Sequence, residues 1–175
     1  MSTLELKDIG TDDEMVLFQL FTTVRSEELR MNHWDPDLRT QMLRLQFEAQ
    51  RRGYREQWPD VCERLILCDG SPVGWLLVDR SGLVMRGIDM AVVPDARNSG
   101  VGTRVIRALQ AEVARSAGTF VIAVLRSNVR ARALYVRLGF IVTGETDLHT
   151  LMEWRQDRTD LVQPSGDDAA AGWRG

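Results

Sequence analysis

The feature that most constrains this chain lies between residues 83 and 125, where the hydrophobic period changes twice. Leu83 to about Val93 reads as a long strand, and residues 95–102 as a polar loop containing glycines. Val101, Val105, Leu109 and Val113 then recur at steps of four, the stripe of an amphipathic helix that ends at Gly118. Phe120 to Leu125 (FVIAVL) is a continuous apolar run, as expected of a strand covered on both faces. Strand, helix and buried strand in this order form a parallel β-α-β unit, because parallel neighbours need a crossover. The fold must therefore contain a sheet with helices on its faces.

The rest of the chain builds around that unit. Leu4 and Leu6 begin a short strand, and Thr11-Asp12-Asp13-Glu14 offers N-cap chemistry with acids in the first turn. Met15, Phe18, Leu20, Phe21 and Val24 predict a helix to about Arg30. Asp35-Pro36 opens another, with an apolar stripe of Leu38, Met42, Leu45 and Ala49, Phe47 off the stripe, and an end near Arg52-Gly53. Val61 to Cys68 and Val73 to Val78 read as a hairpin around Asp69-Gly70-Ser71-Pro72, and Ser81-Gly82 as the next turn. Asn128 can cap a helix carrying Ala131, Leu134, Tyr135 and Leu138, stopped by Gly139. Phe140 to Val142 and an alternating Leu148 to Trp154 close the sheet. The order β-α-α-β-β-β-α-β-α-β-β predicts an α+β domain over residues 1–155 with a mostly antiparallel sheet. The tail 156–175 has no period and is expected to be disordered.

Composition excludes several classes. The 175 residues suit one domain, and no apolar run approaches the ~20 residues needed to span a bilayer. Asp and Glu (25) outnumber Lys and Arg (22), the wrong balance for a broad nucleic-acid binder. MSTLELKDIG lacks a basic segment followed by an apolar one, so the expected location is cytoplasmic. Cys62 and Cys68, six apart on one strand with no ligand set beside them, read as reduced packing residues, and no metal is expected.

The chemistry should sit in Ile88 to Arg104 (IDMAVVPDARNSGVGTR). Glycines let a backbone approach a ligand, and a helix start offers unpaired N–H groups with positive potential, a ready phosphate site. Arg97 and Arg104 stand nearby. The same residues also suit a plain strand-to-helix connector. No lysine follows Gly102, so a P-loop fails. A dinucleotide fingerprint fails too, since FVIAVL carries no acid for a ribose.

Arg97-Asn98-Ser99-Gly100-Val101-Gly102, following Met90-Ala91-Val92-Val93-Pro94, resembles the Arg/Gln-x-x-Gly-x-Gly/Ala signature of the GCN5-related N-acetyltransferase (GNAT) superfamily. The second half of that signature is matched by NVRARALYVRLGF, with Asn128, Tyr135 and Leu138-Gly139-Phe140. The resemblance covers residues 83–142. It implies a splayed central strand pair and a transferase that uses acetyl-CoA as cosubstrate, with attack by an amine in a ternary complex. It implies that the backbone of Met90, Ala91 and Val92 pairs with the pantetheine arm, and that the Val92 amide donates to the thioester carbonyl. Amides from Asn98 to Thr103 would hold the diphosphate beside Arg97. Asn128 would contact the cofactor arm, and Arg132 an adenosine phosphate or simply solvent.

Tyr135 is the implied general acid, since a phenol can protonate a departing thiolate; the plainer reading is a core tyrosine beside Leu134 and Leu138. Ala123 stands where protein-N-terminal acetyltransferases of this family carry a glutamate base. Asp89 is the candidate base, with Glu27, Glu28 and His33 as alternatives. Met31, Asn32, Trp34, Tyr54 and Trp58 would wall an acceptor pocket or pack the helical cap. The acceptor is expected to be a small-molecule or peptide amine, and exposed strand edges could pair a homodimer. The alternatives in function are a catalytically inactive acyl-CoA-binding module acting as sensor or scaffold, and a nucleotide-phosphate enzyme using the Gly100–Gly102 loop.

Overall fold

The computed structural model describes residues 2–116 and 118–156. Its elements run β1 (Leu4–Asp8), α1 (Glu14–Glu28), α2 (Pro36–Gln57), β2 (Cys62–Cys68), β3 (Ser71–Asp79), β4 (Val84–Val92), α3 (Val101–Arg115), β5 (Thr119–Leu125), α4 (Val129–Arg137), β6 (Ile141–Glu145) and β7 (His149–Trp154). Single 3₁₀ turns precede α1, α2 and α3. This is the order the periods predict. The strands form one seven-stranded sheet, β1-β2-β3-β4-β5-β7-β6. It is antiparallel at β1–β2, β2–β3, β5–β7 and β7–β6, and parallel at β4–β5, the predicted crossover unit.

The chain divides into two compact units. Among the described residues, one holds 2–79 and 89–102, the other 80–88, 103–116 and 118–156, so β4 contributes to both. In the first, β2 and β3 are joined by Asp69 (φ 50°) and Gly70 (φ 78°) alone. Two left-handed residues make the mirror-image turn whose twist suits a hairpin. Ser71 and Pro72 accordingly belong to β3, not to the turn. Helix α1 buries Leu17, Leu20, Phe21 and Val24, while Met15, expected inside, is exposed. It ends at Glu28, and Arg30 turns left-handed (φ 52°) into the next 3₁₀ turn.

Helix α2 departs most from expectation. Asp35 caps it as predicted, its Oδ1 accepting from the Asp37 and Leu38 amides at 3.0 Å. Its buried residues are Leu43 and Phe47, however, and Leu38, Met42 and Leu45 face outward. Both stripes have helical spacing. The aromatic one goes inside because Phe47 packs edge-on against Phe18 and Phe21, each at 5.3 Å, and buries more apolar area than Leu45 would. Nor does the helix stop at Arg52-Gly53. No neighbour crowds Gly53, its φ is not left-handed, and one more turn brings in Tyr54.

In the second unit, Val105, Leu109 and Val113 of α3 are buried as the stripe predicts. Phe120 and Tyr135 flank Phe140 at 5.2 and 5.4 Å, and Gln110 Nε2 donates to the Leu138 carbonyl at 2.7 Å. Thr150, Leu151, Met152 and Glu153 are all buried, so β7 does not alternate. It lies between β5 and β6 and is covered on both faces. The expected tail falls outside the described residues from residue 157 on. No helix among the described residues is long and apolar enough to cross a membrane.

Candidate functional site

The parallel register of β4 with β5 runs from Val84↔Thr119 to Gly87↔Ile122. The rest of β4, Asp89 to Val92, belongs to the first unit. There the Val93 amide donates to the Val73 carbonyl at 2.9 Å, and the Ala91 carbonyl lies against Gly74 of β3. Main-chain groups of a strand alternate in direction. Ala91 and Val93 therefore face β3, while Met90 and Val92 turn their amides and carbonyls to the other side. Of the three residues expected to present their backbone to a cofactor, Ala91 turns its carbonyl toward β3, and Met90 and Val92 turn theirs away from it.

Gly74 was invisible as a functional position. A Cβ there would run into the Ala91 carbonyl oxygen and stand 3.2 Å from the Val92 Cα. Only glycine lets β3 approach β4 this closely. The available signal was a glycine inside a strand pattern, which often marks a close backbone approach.

Beyond β4, Pro94–Ala96 makes one 3₁₀ turn. Asn98 (φ 63°) and Gly100 (φ 85°) are both left-handed, and α3 begins at Val101. Two such residues in three make a tight turn straight into a helix, whose first amides have no intrahelical acceptor. A Cβ at Gly100 would meet nothing within 4 Å, so the loop is open to a ligand at that point. An open position at Gly100 beside a helix start is the kind of backbone geometry that can hold a phosphate group.

Arg97 has partners within the protein. Its Nε donates to the Val92 carbonyl at 2.9 Å and its Nη1 pairs with Glu27 of α1. The guanidinium braces the loop against the strand end and the first helix. This also occupies Glu27, while Glu28 is paired with Arg25 at 2.7 Å. His33 is exposed.

Asp89 points to the side of the sheet where α1 and α2 lie. Its Oδ2 accepts from the Trp75 indole at 2.9 Å, and the Tyr54 phenol is a further hydrogen-bond partner. The Tyr54 oxygen accepts in turn from Gln50 Nε2 at 2.7 Å. These groups line a cavity with Phe21, Phe47, Arg51 and Glu63, holding about 20 Å³, room for a water or two. Burial raises the Asp89 carboxyl above the usual carboxylate range, against the opposing hydrogen bond from Trp75 and the charge of Arg25. Burial likewise raises Glu63, although Arg51 pairs with it at 2.9 Å. The Tyr54 phenol is pushed up by burial and then by the Asp89 charge. Tyr54 is among the residues expected at a pocket wall or in the helical cap, but the polar cluster is not legible in the sequence, because Glu63, Trp75 and Asp89 come from three strands.

The second unit carries the other half of the signature. Asn128 Oδ1 accepts from the Ala131 amide at 3.0 Å, the predicted cap. One and two turns on, Arg132 is exposed and Tyr135 is buried against Phe140. The Leu138 and Phe140 amides both donate to the Tyr135 carbonyl at 3.0 Å, and Gly139 (φ 85°) closes the helix. Cys62 and Cys68 are free thiols. Among the described residues no three His, Cys, Asp or Glu side chains are grouped to hold a metal ion.

The family model described as "Acetyltransferase (GNAT) family" matches residues 28–140. No curated protein matches the sequence. Among solved structures, the chain is similar to PaiA N-acetyltransferase from Thermoplasma acidophilum in complex with coenzyme A, at 11% identity and a TM-score of 0.67, covering 87% of this chain and 99% of that one. It is also similar to the ribosomal-protein-S18-alanine N-acetyltransferase from Escherichia coli, at 17% identity and a TM-score of 0.61, covering 93% and 100%. An acetyltransferase from Thermus thermophilus gives 17% identity and a TM-score of 0.64, covering 87% and 97%. At these identities the likeness is one of fold.

Proposed function

Because the chain belongs to the GNAT acetyltransferase family, we propose that it is an acetyl-CoA-dependent N-acetyltransferase acting on a primary amine by direct attack in a ternary complex. The observation that carries this reading is the left-handed turn at Asn98 and Gly100, which leads the segment after β4 into the start of α3.

Amides of residues 98–103 would hold the diphosphate, with Arg97 acting as brace. Met90 and Val92 would offer their main-chain groups to the pantetheine arm, with Asn128 on the same arm and Arg132 at an adenosine phosphate. The Val92 amide would donate to the thioester oxygen, an interaction that strengthens as negative charge develops there.

An alkylammonium acceptor has a pKa of ~10.4 and must lose a proton before it attacks. Asp89 would take that proton, directly or through a water in the adjoining cavity. A carboxyl raised by burial is a better base near neutrality than an ordinary one. The amine nitrogen then bonds to the acetyl carbon, the carbon–sulfur bond breaks, and the nitrogen gives up its second proton to water, from which the Tyr135 side chain is later reprotonated. The leaving thiolate takes its proton from the Tyr135 phenol; in water a thiol and a phenol ionise near pH ~8.5 and ~10, close enough for that transfer.

The test is thiol release from acetyl-CoA across a panel of small-molecule and peptide amines. Tyr135→Phe should lower turnover by ~10²-fold with CoA affinity unchanged. Unaltered turnover would remove Tyr135 from the mechanism. CoA binding without transfer to any amine would instead favour the inactive acyl-CoA-binding module.

A further inference from the structure

Helix α2 carries two apolar faces, and only one of them is used. Leu43 and Phe47 face the core. At 100° per residue, Leu38, Met42, Leu45, Ala49 and Arg52 fall in a second stripe, about 80° wide, on the opposite side, and the N-cap Asp35 precedes it. All six are exposed, with Leu38, Met42 and Leu45 at 50%, 36% and 63%. A helix facing water ordinarily puts polar residues there. We infer that this stripe is a homodimer seam, against which α2 of a second copy packs antiparallel about a two-fold axis.

The order of residues selects both the partner and its direction. Leu38, Met42, Leu45 and Ala49 follow the 4-3-4 spacing of a coiled-coil core, and one heptad step beyond them lie Asp35 and Arg52. In an antiparallel pair centred between residues 43 and 44, Leu38 meets Ala49 and Met42 meets Leu45 of the second copy. Asp35 then meets Arg52 at both ends, so four apolar layers are closed by two acid–base pairs. On the flanks Arg39 faces Gln46 and Gln41 faces Glu48, with no like charges opposed. A parallel pair would instead set Asp35 against Asp35 and Arg52 against Arg52. Asp35 is ready for this role: both of its capping bonds use Oδ1, and the cap holds the side chain still. The stripe thus complements itself, which is what an isologous interface requires.

Helix α2 has 22 residues and is about 33 Å long. A single helix pair lies at the low end of the roughly 1,200–2,000 Å² buried by specific interfaces, so dissociation in the micromolar range is expected. Sedimentation velocity of the full chain from about 1 to about 500 μM should show a monomer giving way to a dimer. Leu45→Glu should stay monomeric throughout with its melting temperature unchanged, because the residue faces away from the core. A Leu38→Cys, Ala49→Cys double variant should oxidise to a covalent dimer, while Leu38→Cys alone and the wild-type chain, with its Cys62 and Cys68, should not. A monomer at every concentration, a dimer that survives Leu45→Glu, or cross-linking by Leu38→Cys alone would each overturn the seam; the second outcome would point to the strand edges. None of these readouts depends on acetyl transfer.

Discussion

At the residue scale, two positions tie the candidate chemistry to physical constraints. Asp89 is raised by burial, so the folded chain holds its proton more tightly than the unfolded chain does. Its stabilising contribution is present in acid and is lost as pH rises through the folded-state pKa; at neutral pH the buried charge is a cost. Asp89→Asn should therefore melt at a higher temperature than the wild-type chain at neutral pH. The gap should close as the solution is acidified, and turnover should fall at every pH. Melting curves at neutral and mildly acidic pH, with thiol release alongside, check both signs. If Asp89 is the base, wild-type activity should decline on acidification through the same ionisation. Gly74 sets a different constraint. Gly74→Ala forces Ala91 and Val92 to move, so CoA affinity should drop well over tenfold in a calorimetric titration while the circular dichroism of the fold persists. The sequence showed Asp89 on the motif strand but not which way it faced. That depends on β3, whose Trp75 supplies the hydrogen bond that settles the direction.

At the element scale, periodicity read well where one face carried all the large residues and poorly where two competed. Helix α3 has a single stripe, and Val101, Val105, Leu109 and Val113 are buried as expected. Helix α2 has two, and spacing alone does not rank Leu45 against Phe47. The ranking comes from Phe18 and Phe21 on α1, which give an aromatic partner something to pack against. Phe47→Ala should cost about 3–5 kcal/mol in a denaturant titration, whereas Leu45→Ala in the dilute monomer should cost no more than about 0.5 kcal/mol. A reversed order would mean that the stripe expected from sequence is the buried one after all. In β7 the sequence alternates but the burial does not, because the strand lies between β5 and β6, a matter of topology.

At the scale of the whole molecule, the order of elements and the parallel crossover were legible because a β-α-β unit admits few arrangements and the remaining strands must extend its sheet. The division of β4 between two compact units was not, since it depends on where the β4–β5 register stops. Binding of CoA to the native chain alone should raise the melting temperature by about 5–10 °C at a hundredfold excess over Kd. ATP and NAD should not. Stabilisation by either nucleotide in place of CoA would overturn the assignment of the Gly100–Gly102 loop.

The bond from Arg97 to Glu27 spans seventy positions of sequence. The glycine-bearing loop is consequently no portable cassette: grafted onto another scaffold without a carboxylate at the end of a first helix, it would lose its anchor. Within this chain, the acid that steadies the loop belongs to α1, so mutations chosen to reshape that helix will be felt in the loop.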